Sequence, residues 1–360
     1  MALLALAGGA AAQQPPADAP PAELGSLSLE QLLEVEVSTA SRHGETLGEA
    51  PAVVTVVTAA DIRVHAYRTL ADILRSVPGF YVSDDRNYSY VGVRGFGRPG
   101  DYNTRILLLL DGLRVNDTIY DMGFMGSEFL VDVDLVERVE IVHGPGAALY
   151  GNNAFFAVVN VITRKGADVG GGELSLAGAS WRTVSGRATY GRRTAGGIDY
   201  LLSASGLESA GQRLYFRAFD TPATNHGLAE GADGEGAQHF LASVSKAGLS
   251  LQASHSARDK GIPTASFGTA FNDPRSRTWD GNSSVRLSYE RDWGAGAQAM
   301  GRVHYGRYHY RGRYAFAPED GGLYEDFSLG EWWGAEAYLT RLISGRHRLG
   351  LGAELQRRFR

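Results

Sequence analysis

From residue 171 to the end of the chain, apolar side chains alternate with small or polar ones in one segment after another. In the first segment Leu174, Leu176 and Gly178 alternate with Glu173 and Ser175, and the pattern recurs at 184–190, 249–254, 285–290 and 349–356. Successive side chains of a β-strand point to opposite faces of the sheet. The alternation therefore predicts about two hundred residues of antiparallel strands, each with one apolar and one polar face.

The residue types on the two faces distinguish between two kinds of β-fold. The core of a soluble sandwich is rich in Ile, Val and Phe, whereas the apolar face here carries Leu, Ala, Val, Tyr and Gly. Transmembrane barrels alternate in this way over segments of roughly ten residues, with the apolar face toward lipid and the polar face toward the lumen. We predict such a barrel for 168–360; a soluble sandwich is the alternative.

The connections between the predicted strands alternate in length. Short turns are expected near 194–197, 246–248, 293–296 and 344–347, and longer loops at 209–237, 258–278 and 314–324, while the first joint, near 180–182, is also tight. Outer-membrane barrels place short turns on the periplasmic side and long loops outside. About nine strands are predicted, too few to enclose a folded domain, so we expect the N-terminal portion of a truncated barrel.

Composition argues against several classes of function. The net charge is −5, so no strong basic field favours nucleic acid. Cysteine is absent, which removes disulfides, thiolate metal sites and cysteine catalysis. The sequence contains no run of about 18 apolar residues, so no transmembrane helix is predicted. The nine His residues show no metal-ligand spacing and no nucleophile–base pair stands out, so we expect no enzyme, no bound metal and no cofactor.

Residues 50–167 predict a compact α+β domain. A β-branched strand at Ala52–Val57 precedes helices at Ala60–Arg63 and Thr69–Ser76. Ile106–Leu110 is apolar on both faces, so it should be a central strand. The other strands are predicted at Phe80–Ser83, Tyr90–Arg94, Arg138–Val142 and Val158–Thr163.

Five blocks in this domain resemble the plug of the TonB-dependent outer-membrane transporters. They are PGFYV (78–82), VGVRGFG (91–97), ILLLLDGLRVND (106–117), VERVEIVHGPGAALYG (136–151) and NAFFAVVNVITRKG (153–166). The blocks follow the order and spacing of the family. The resemblance implies an α+β plug domain followed by an antiparallel transmembrane β-barrel that has about 22 strands when complete.

The N-terminal 49 residues are predicted to export the chain and to connect it to an energy source. Residues 1–12 look like an export signal, 13–27 a Pro-rich linker, and 28–49 a short helix followed by a β-type stretch. The stretch EVEVSTA resembles the TonB box, so its residues are expected to add a strand to the sheet of TonB. The alternative is that it is the first strand of the plug. The residues concerned are Glu34, Val35, Glu36, Val37, Ser38, Thr39 and Ala40.

Two departures from the family pattern affect the predicted contact between plug and barrel. His143 stands where the family usually has Arg before Gly-Pro, and Phe156-Ala157 replaces the usual Gly-Gly. The resemblance then leaves Arg94 as the residue expected to make a salt link from plug to barrel. Whether His143 takes over the role of that Arg is left open.

Ligand contacts are predicted in the outward loops of the plug, which mix aromatic faces with charge. The alternative is that these side chains pack the plug against the barrel. The candidates are Tyr88, Tyr90, Arg98, Tyr102, Tyr120, Met122 and Phe124.

The segment RYHYRGRY (307–314) supplies a second group of candidates. Tyr308, Tyr310 and Tyr314 share one face and are predicted to form the aromatic girdle at the lipid interface. The opposite face is predicted to point into the lumen and to attract an anionic ligand, or to pair with carboxylates of the plug or of neighbouring strands. That face carries Arg307, His309, Arg311 and Arg313.

The resemblance implies TonB-dependent active uptake across the outer membrane of a Gram-negative bacterium. A ferric siderophore is the first expectation; cobalamin, haem or a saccharide are alternatives, as is a binding protein or adhesin that does not transport. The implied partners are TonB, outer-membrane lipid and a small-molecule ligand such as a metal chelate, with no nucleic acid and a monomeric state.

Overall fold

The computed structural model describes residues 36–37, 39, 45–46, 52–294, 296–317, 322–344 and 347–360, with only the backbone of Glu36, Val37 and Glu45. The predicted export signal (1–12), linker (13–27) and short helix after residue 28 lie outside the described residues. Two short strands precede the plug and pair antiparallel, β1 (Glu36–Val37) and β2 (Glu45–Thr46).

The plug domain contains the predicted helices and strands, with ends that differ from the predictions by two residues at most. Both long helices start at a Thr whose hydroxyl accepts a hydrogen bond from the amide three residues on, Thr58 from Asp61 and Thr69 from Asp72. The elements are β3 (Val54–Thr58), α1 (Ala59–Val64), α2 (Leu70–Arg75), β4 (Phe80–Asp84), β5 (Ser89–Val93), β6 (Ile106–Leu110), β7 (Leu113–Arg114), a 3-10 turn (Val133–Leu135), β8 (Val136–His143), α3 (Ala147–Tyr150), β9 (Ala157–Thr163) and α4 (Gly166–Val169).

The plug is built on a five-stranded sheet in the order β3-β8-β9-β6-β7, beside the β4-β5 hairpin. Strands β6 and β9 are parallel, and their neighbours are antiparallel. All five residues of β6 are buried. Ile106 and Leu108 belong to the main core, whereas Leu107 and Leu109 pack in a second cluster on the other face. The prediction of a strand that is apolar on both faces is confirmed.

The rest of the chain forms a nine-stranded antiparallel sheet in which each strand pairs with the next long strand along the chain. Its strands are β10 (Gly171–Ala179), β11 (Thr183–Arg193), β12 (Asp199–Ser209), β15 (Glu235–Lys246), β16 (Leu249–Gly261), β17 (Arg277–Asp292), β18 (Ala297–Ala315), β19 (Leu323–Ile343) and β20 (His347–Arg358). The long loops carry a small hairpin of β13 (Leu214–Tyr215) and β14 (Leu228–Ala229) and 3-10 turns at Arg217–Phe219, Pro222–Gly227 and Ser266–Gly268.

One face of this sheet is apolar and exposed, and the other contacts the plug. Leu174 and Leu176 are 76% and 77% exposed, and Leu251 and Leu287 also point away from the plug. On the opposite face, Gln252 and its neighbours of the same parity are buried against plug residues. The predicted barrel strands with an apolar outer face are therefore confirmed. No helix in the described part of the chain is long and apolar enough to cross a membrane.

The predicted orientation of β18 is wrong. Tyr308 and Tyr310 are 1% and 8% exposed and face the plug, and Tyr314 is half-buried on the same face. A buried tyrosine hydroxyl needs a partner, and the inner face of the neighbouring strand supplies one, because Tyr308 donates to Asp280 of β17 at 2.9 Å. The residues that point to the outer face instead of the lumen are Arg307, His309, Arg311 and Arg313.

Candidate ligand-binding site between plug and barrel

A cavity of about 350 Å³ opens between the outward loops of the plug and the inner face of β18 and β19. We call it the tyrosine cup. Its plug side is formed by Asp85, Asn87, Tyr88, Tyr90, Tyr102, Tyr120 and Met122. Its barrel side is formed by Ser266, Phe267, Tyr308, Tyr310, Tyr314, Phe316, Tyr324 and Asp326.

The turn between β4 and β5 fixes two of the plug tyrosines. Asp85 accepts hydrogen bonds from the backbone amides of Asn87 at 2.8 Å and Tyr88 at 2.7 Å. Its other carboxylate oxygen accepts the hydroxyl of Tyr90 at 2.8 Å. An Asp side chain that binds its own turn in this way holds the loop in one conformation. Burial, and then the carboxylate of Asp85, raises the pKa of Tyr90 well above its usual range.

A second carboxylate holds the loop that carries Tyr120 and Met122. Asp117 accepts hydrogen bonds from the amides of Ile119 at 2.6 Å, Tyr120 at 2.8 Å and Met122 at 2.8 Å. Burial raises the pKa of Asp117 to about 6, against the opposing effect of these amides. The hydroxyl of Tyr120 then reaches the barrel, 2.8 Å from the hydroxyl of Ser328.

The rings of the cup contact one another across the boundary between plug and barrel. Tyr102 lies edge-on to Tyr88 and Tyr90, with centroids 6.0 Å apart in each pair. Tyr120 lies edge-on to Tyr308 and Tyr310 at 6.4 and 6.5 Å. Edge-to-face pairs at these separations are attractive beyond the area they bury. The cup is therefore an aromatic surface made by both parts of the chain.

The charge of the cup is negative. Asp85 and Asp326 line it, and the described lining residues include no Lys, Arg or His. A third carboxylate, Asp280, lies fully buried beneath the cup and accepts the hydroxyls of Tyr88 and Tyr308. The lining therefore favours a neutral or cationic ligand with flat apolar faces over an anion.

Beneath the cup, one buried arginine of the barrel binds the plug. Arg258 lies 3.7 Å from the carboxylate of Glu128 on the plug and 3.6 Å from that of Asp280, and its Nε donates to Glu235 at 3.2 Å. It also donates to the backbone carbonyl of Asn87, and its guanidinium lies 5.4 Å from the ring centroid of Tyr88. Arg258 therefore joins the barrel to the turn that forms the cup.

Three further ion pairs join plug to barrel among the described residues. In one of them the cation is on the plug, where Arg164 lies 2.7 Å from Glu173 of β10. In the other two the cation is on the barrel. Arg286 lies 3.6 Å from the Asp111 carboxylate and donates to the Asp111 carbonyl at 2.8 Å. Arg187 lies 3.6 Å from Asp134. The predicted plug cation, Arg94, is exposed, and no ion pair from it to the barrel occurs among the residues described.

His143 takes a role inside the plug. Its Nε2 lies 2.8 Å from the hydroxyl of Thr55, and its ring is edge-on to Phe80 at 5.4 Å. Burial, and then the positive charge of Arg94, lowers the pKa of His143. The neutral ring is therefore favoured, so His143 does not carry the charge of an Arg at that position.

The structure brings together five of the seven plug residues predicted to contact ligand: Tyr88, Tyr90, Tyr102, Tyr120 and Met122. Phe124 is buried below the cup with its ring 5.1 Å from Tyr308, and Arg98 is exposed away from the lining. The loop residues Phe267 and Phe316 were missed, and no sequence signal points to them. The parity of β18 was readable, because the outward face continues from Val303 and Tyr305.

The TonB-box-like segment contacts the plug core through Thr39, the residue of this segment whose side chain the structure describes. Thr39 is 1% exposed, and its amide donates to the buried Glu140 at 3.1 Å. Its hydroxyl also donates to Glu140 and accepts from Asn160 at 3.0 Å, and its carbonyl accepts the Tyr150 hydroxyl at 2.7 Å. Glu36 and Val37 form β1. The other predicted members of the segment, Glu34, Val35, Ser38 and Ala40, lie outside the described residues.

Comparisons with known proteins agree with this architecture. The family model of the TonB-dependent Receptor Plug Domain matches residues 46–158. The chain is 33% identical over 221 residues to the vitamin B12 transporter BtuB of Vibrio vulnificus, a match that covers 60% of this chain and 33% of that protein. It is 37% identical over 144 residues to the hemin receptor of Yersinia enterocolitica, covering 39% of this chain and 20% of that protein.

The fold also matches solved structures. The pyoverdine outer membrane receptor FpvA of Pseudomonas aeruginosa superposes with a TM-score of 0.66 at 16% identity, over 89% of this chain and 48% of that one. The fold is that of a plug domain joined to part of an antiparallel β-barrel. Residues 46–158 are similar to the plug of the TonB-dependent receptors, and the chain as a whole is similar to part of such a receptor. The chain spans about a third or less of the length of the curated relatives reported above.

Proposed function

We propose that this chain is part of an energy-coupled transporter whose cargo binds in the tyrosine cup. The observation that supports this most is the double origin of the cup, since plug residues and barrel residues each form about half of it. A cargo seated there would contact both parts of the chain at once. Its binding can therefore alter the contacts that hold the plug in place.

The cargo we propose is compact and either neutral or cationic, with flat or apolar faces. The eight tyrosines of the lining offer ring faces and hydroxyl donors, which suit a ligand with aromatic groups and carbonyl or ether acceptors. Asp85 and Asp326 would repel a multiply charged anion. A ferric siderophore of low charge and a corrinoid both meet these requirements, whereas a ferric tricatecholate with three negative charges does not.

The coupling step we propose passes through Asp280 and Arg258. Asp280 accepts hydrogen bonds from the hydroxyls of Tyr88 and Tyr308. A cargo that displaces either hydroxyl therefore removes one of the hydrogen bonds to this carboxylate. Arg258 contacts the same carboxylate and Glu128 on the plug. Cargo binding would thereby loosen the ion pair that retains the plug, and TonB would supply the force that moves it.

The test separates binding from transport. Val37→Pro removes a backbone donor from the TonB-box-like segment, and Val37→Ala is the matched control. We expect Val37→Pro, like deletion of Glu34–Ala40, to abolish uptake of radiolabelled cargo by whole cells while surface binding is retained. Uptake that continues at the wild-type rate after deletion would contradict energy coupling and favour a receptor that only binds.

A further inference from the structure

The outer face of the barrel changes character toward the ends of the strands that lead into the long loops. On β17, Val285, Leu287 and Tyr289 are between 42% and 47% exposed and point outward, as does Val303 on β18. These residues belong to the apolar band expected to meet lipid tails, which is about 25 Å tall in such barrels. Farther along the same strands the outward residues are aromatic and then charged.

An aromatic tier lies directly above the band. The ring of His309 is edge-on to Trp279 on one side and Phe327 on the other, with both centroid distances 4.9 Å. The Trp279 ring folds back over Gly281, where a Cβ atom would come within 2.2 Å of it. Glycine at 281 therefore leaves the space that the indole ring of Trp279 occupies. Aromatic residues at this level are typical of the interface between lipid tails and headgroups.

A cationic tier follows the aromatic one. Arg277 lies directly opposite Arg313 in the register of β17 and β18, and Arg311 faces Trp279 two residues away. Like charges directly opposite each other on one face destabilise a sheet. Asp259 pairs with Arg277, and Glu325 pairs with Arg313 at 3.0 Å.

Arg311 is the cation left over in this tier. Within the described ranges it has no carboxylate within ion-pair distance, and it is exposed on the outer face. A cavity of about 290 Å³ lies beside it, lined by Asp259, Arg277, Thr278, Trp279, His309, Arg311 and Arg313. The cavity therefore presents three guanidinium groups and one carboxylate, that of Asp259, to whatever enters from outside.

The height of the cavity indicates what can reach it. Arg311 stands ten residues beyond Gly301, near the middle of the outward apolar stretch of β18. At about 3.3 Å per residue and a tilt of about 45°, that distance is about 23 Å along the membrane normal. The apolar core ends about 12 Å from its middle. The cavity thus opens on the outer surface of the barrel at the level of the outer-leaflet headgroups.

We propose that this cavity binds the phosphate of an acidic glycolipid of the outer leaflet. Arg311 donates to the phosphate oxygens, because a guanidinium binds phosphate through two parallel hydrogen bonds. Arg277 and Arg313 lie opposite each other two residues farther toward the loops and add positive charge. Trp279 and Phe327 pack beneath against the sugar and the first acyl carbons. The lipid phosphate thereby neutralises the positive charge that Arg311 adds to these neighbouring strands. This site is separate from the tyrosine cup and does not depend on the proposed transport function.

The test measures lipid binding to the full chain purified in detergent, by native mass spectrometry. The probe is a diphosphorylated, acylated glucosamine disaccharide (lipid A), compared with the same lipid after removal of its phosphates. We expect Arg311→Gln to weaken lipid A binding about tenfold, and Arg311→Lys to restore part of it. Arg291→Gln, on the same outer face at the opposite end of β17, is the control and should bind as the wild type does.

Several results would overturn the proposal. If the wild-type protein binds the dephosphorylated lipid as tightly as lipid A, the cavity is not a phosphate site. This comparison uses the wild-type protein alone, so it does not depend on the folding of a variant. Lipid A binding that is unchanged in Arg311→Gln places the lipid elsewhere. Competition by millimolar inorganic phosphate that removes lipid A completely would mean a site for small free anions instead.

Discussion

The hydroxyl of Tyr88, on the plug, lies 3.0 Å from both carboxylate oxygens of Asp280, on the barrel. Both side chains are buried at the floor of the tyrosine cup. Because Tyr308 donates to the same carboxylate, one buried anion connects the two halves of the cup. The guanidinium of Arg258 then connects that anion to Glu128 of the plug.

Arg258→Met should destabilise the seating of the plug strongly. The substitution leaves Glu128, Asp280 and Glu235 close together with no cation from residue 258. Breaking a buried ion pair by removing one partner costs about 3–5 kcal/mol. The measurement is thermal unfolding of the purified protein in detergent, with Arg217→Met in an exposed loop as control. An unchanged unfolding temperature would mean that Arg258 does not hold the plug.

Tyr308→Ala should weaken cargo binding about tenfold or more, because it removes a ring from the barrel side of the cup. Tyr305→Ala, on the outer face of the same strand, removes a ring of the same kind that does not line the cup. Equilibrium binding of cargo to both variants separates the faces of β18. Equal losses in the two variants would argue against the cup as the binding site.

Gly312→Ala should distort the cup without removing any of its groups. A Cβ atom at this position would lie 2.4 Å from the ring of Tyr314 and 2.5 Å from the hydroxyl of Tyr310, so at least one ring must move. Gly301→Ala is the matched control on the same strand, because its Cβ would meet nothing within 4 Å. We expect reduced cargo affinity only in the first variant; full affinity there would show that the two rings are not used.

Thr39→Val should release the TonB-box-like segment from the plug. The variant loses the hydroxyl that binds Glu140 and Asn160 in the plug core, and an interrupted buried hydrogen bond costs about 1–3 kcal/mol. Limited proteolysis of the purified protein should then cut faster within 34–46. Glu140→Gln alters the same contact from the plug side and should act in the same direction. Cleavage at the wild-type rate in both variants would contradict the docked position of Thr39.

Cargo binding should not change between about pH 7 and about pH 10 through ionisation of the plug tyrosines. Burial raises the pKa of Tyr88, with the charge of Asp280 adding to it, and burial also raises the pKa of Tyr90. Since the folded-state pKa lies above the unfolded value, the stability from the neutral phenols is present below that value and is lost only as the pH rises further. Binding titrations with tyrosinate absorbance test this; loss of affinity with tyrosinate formation near the ordinary tyrosine pKa would contradict it.

Local sequence patterns predicted the elements of the plug and the strands of the barrel. The five apolar residues of Ile106–Leu110 fit only a strand buried on both faces, and Thr58 with Asp61 marks the start of a helix. Both signals lie within a few residues of the structure they determine. The alternation of Leu174 and Leu176 with polar neighbours likewise depends only on the two-residue period of a strand.

The role of the β18 tyrosines and the buried ion pairs depended on distant residues. Tyrosine fits both an aromatic girdle and a buried lining, so the tyrosines alone do not show which face is buried, although the parity of the strand from Val303 does. The hydroxyl partner of Tyr308, Asp280, is 28 residues away. Arg258 and Glu128 are 130 positions apart, and neither stands in a motif. The aromatic residues that close the cup, such as Phe267 and Phe316, come from long loops whose paths no local pattern specifies.

The most direct test of the cup is the charge of the cargo that it accepts. Intrinsic fluorescence quenching of the purified wild-type protein can compare cobalamin and an uncharged ferric hydroxamate with a ferric tricatecholate that carries three negative charges. We expect at least one of the first two to bind about tenfold or more tightly than the tricatecholate, and Tyr308→Ala to weaken that binding. Tighter binding of the tricatecholate, unaffected by Tyr308→Ala, would contradict this expectation.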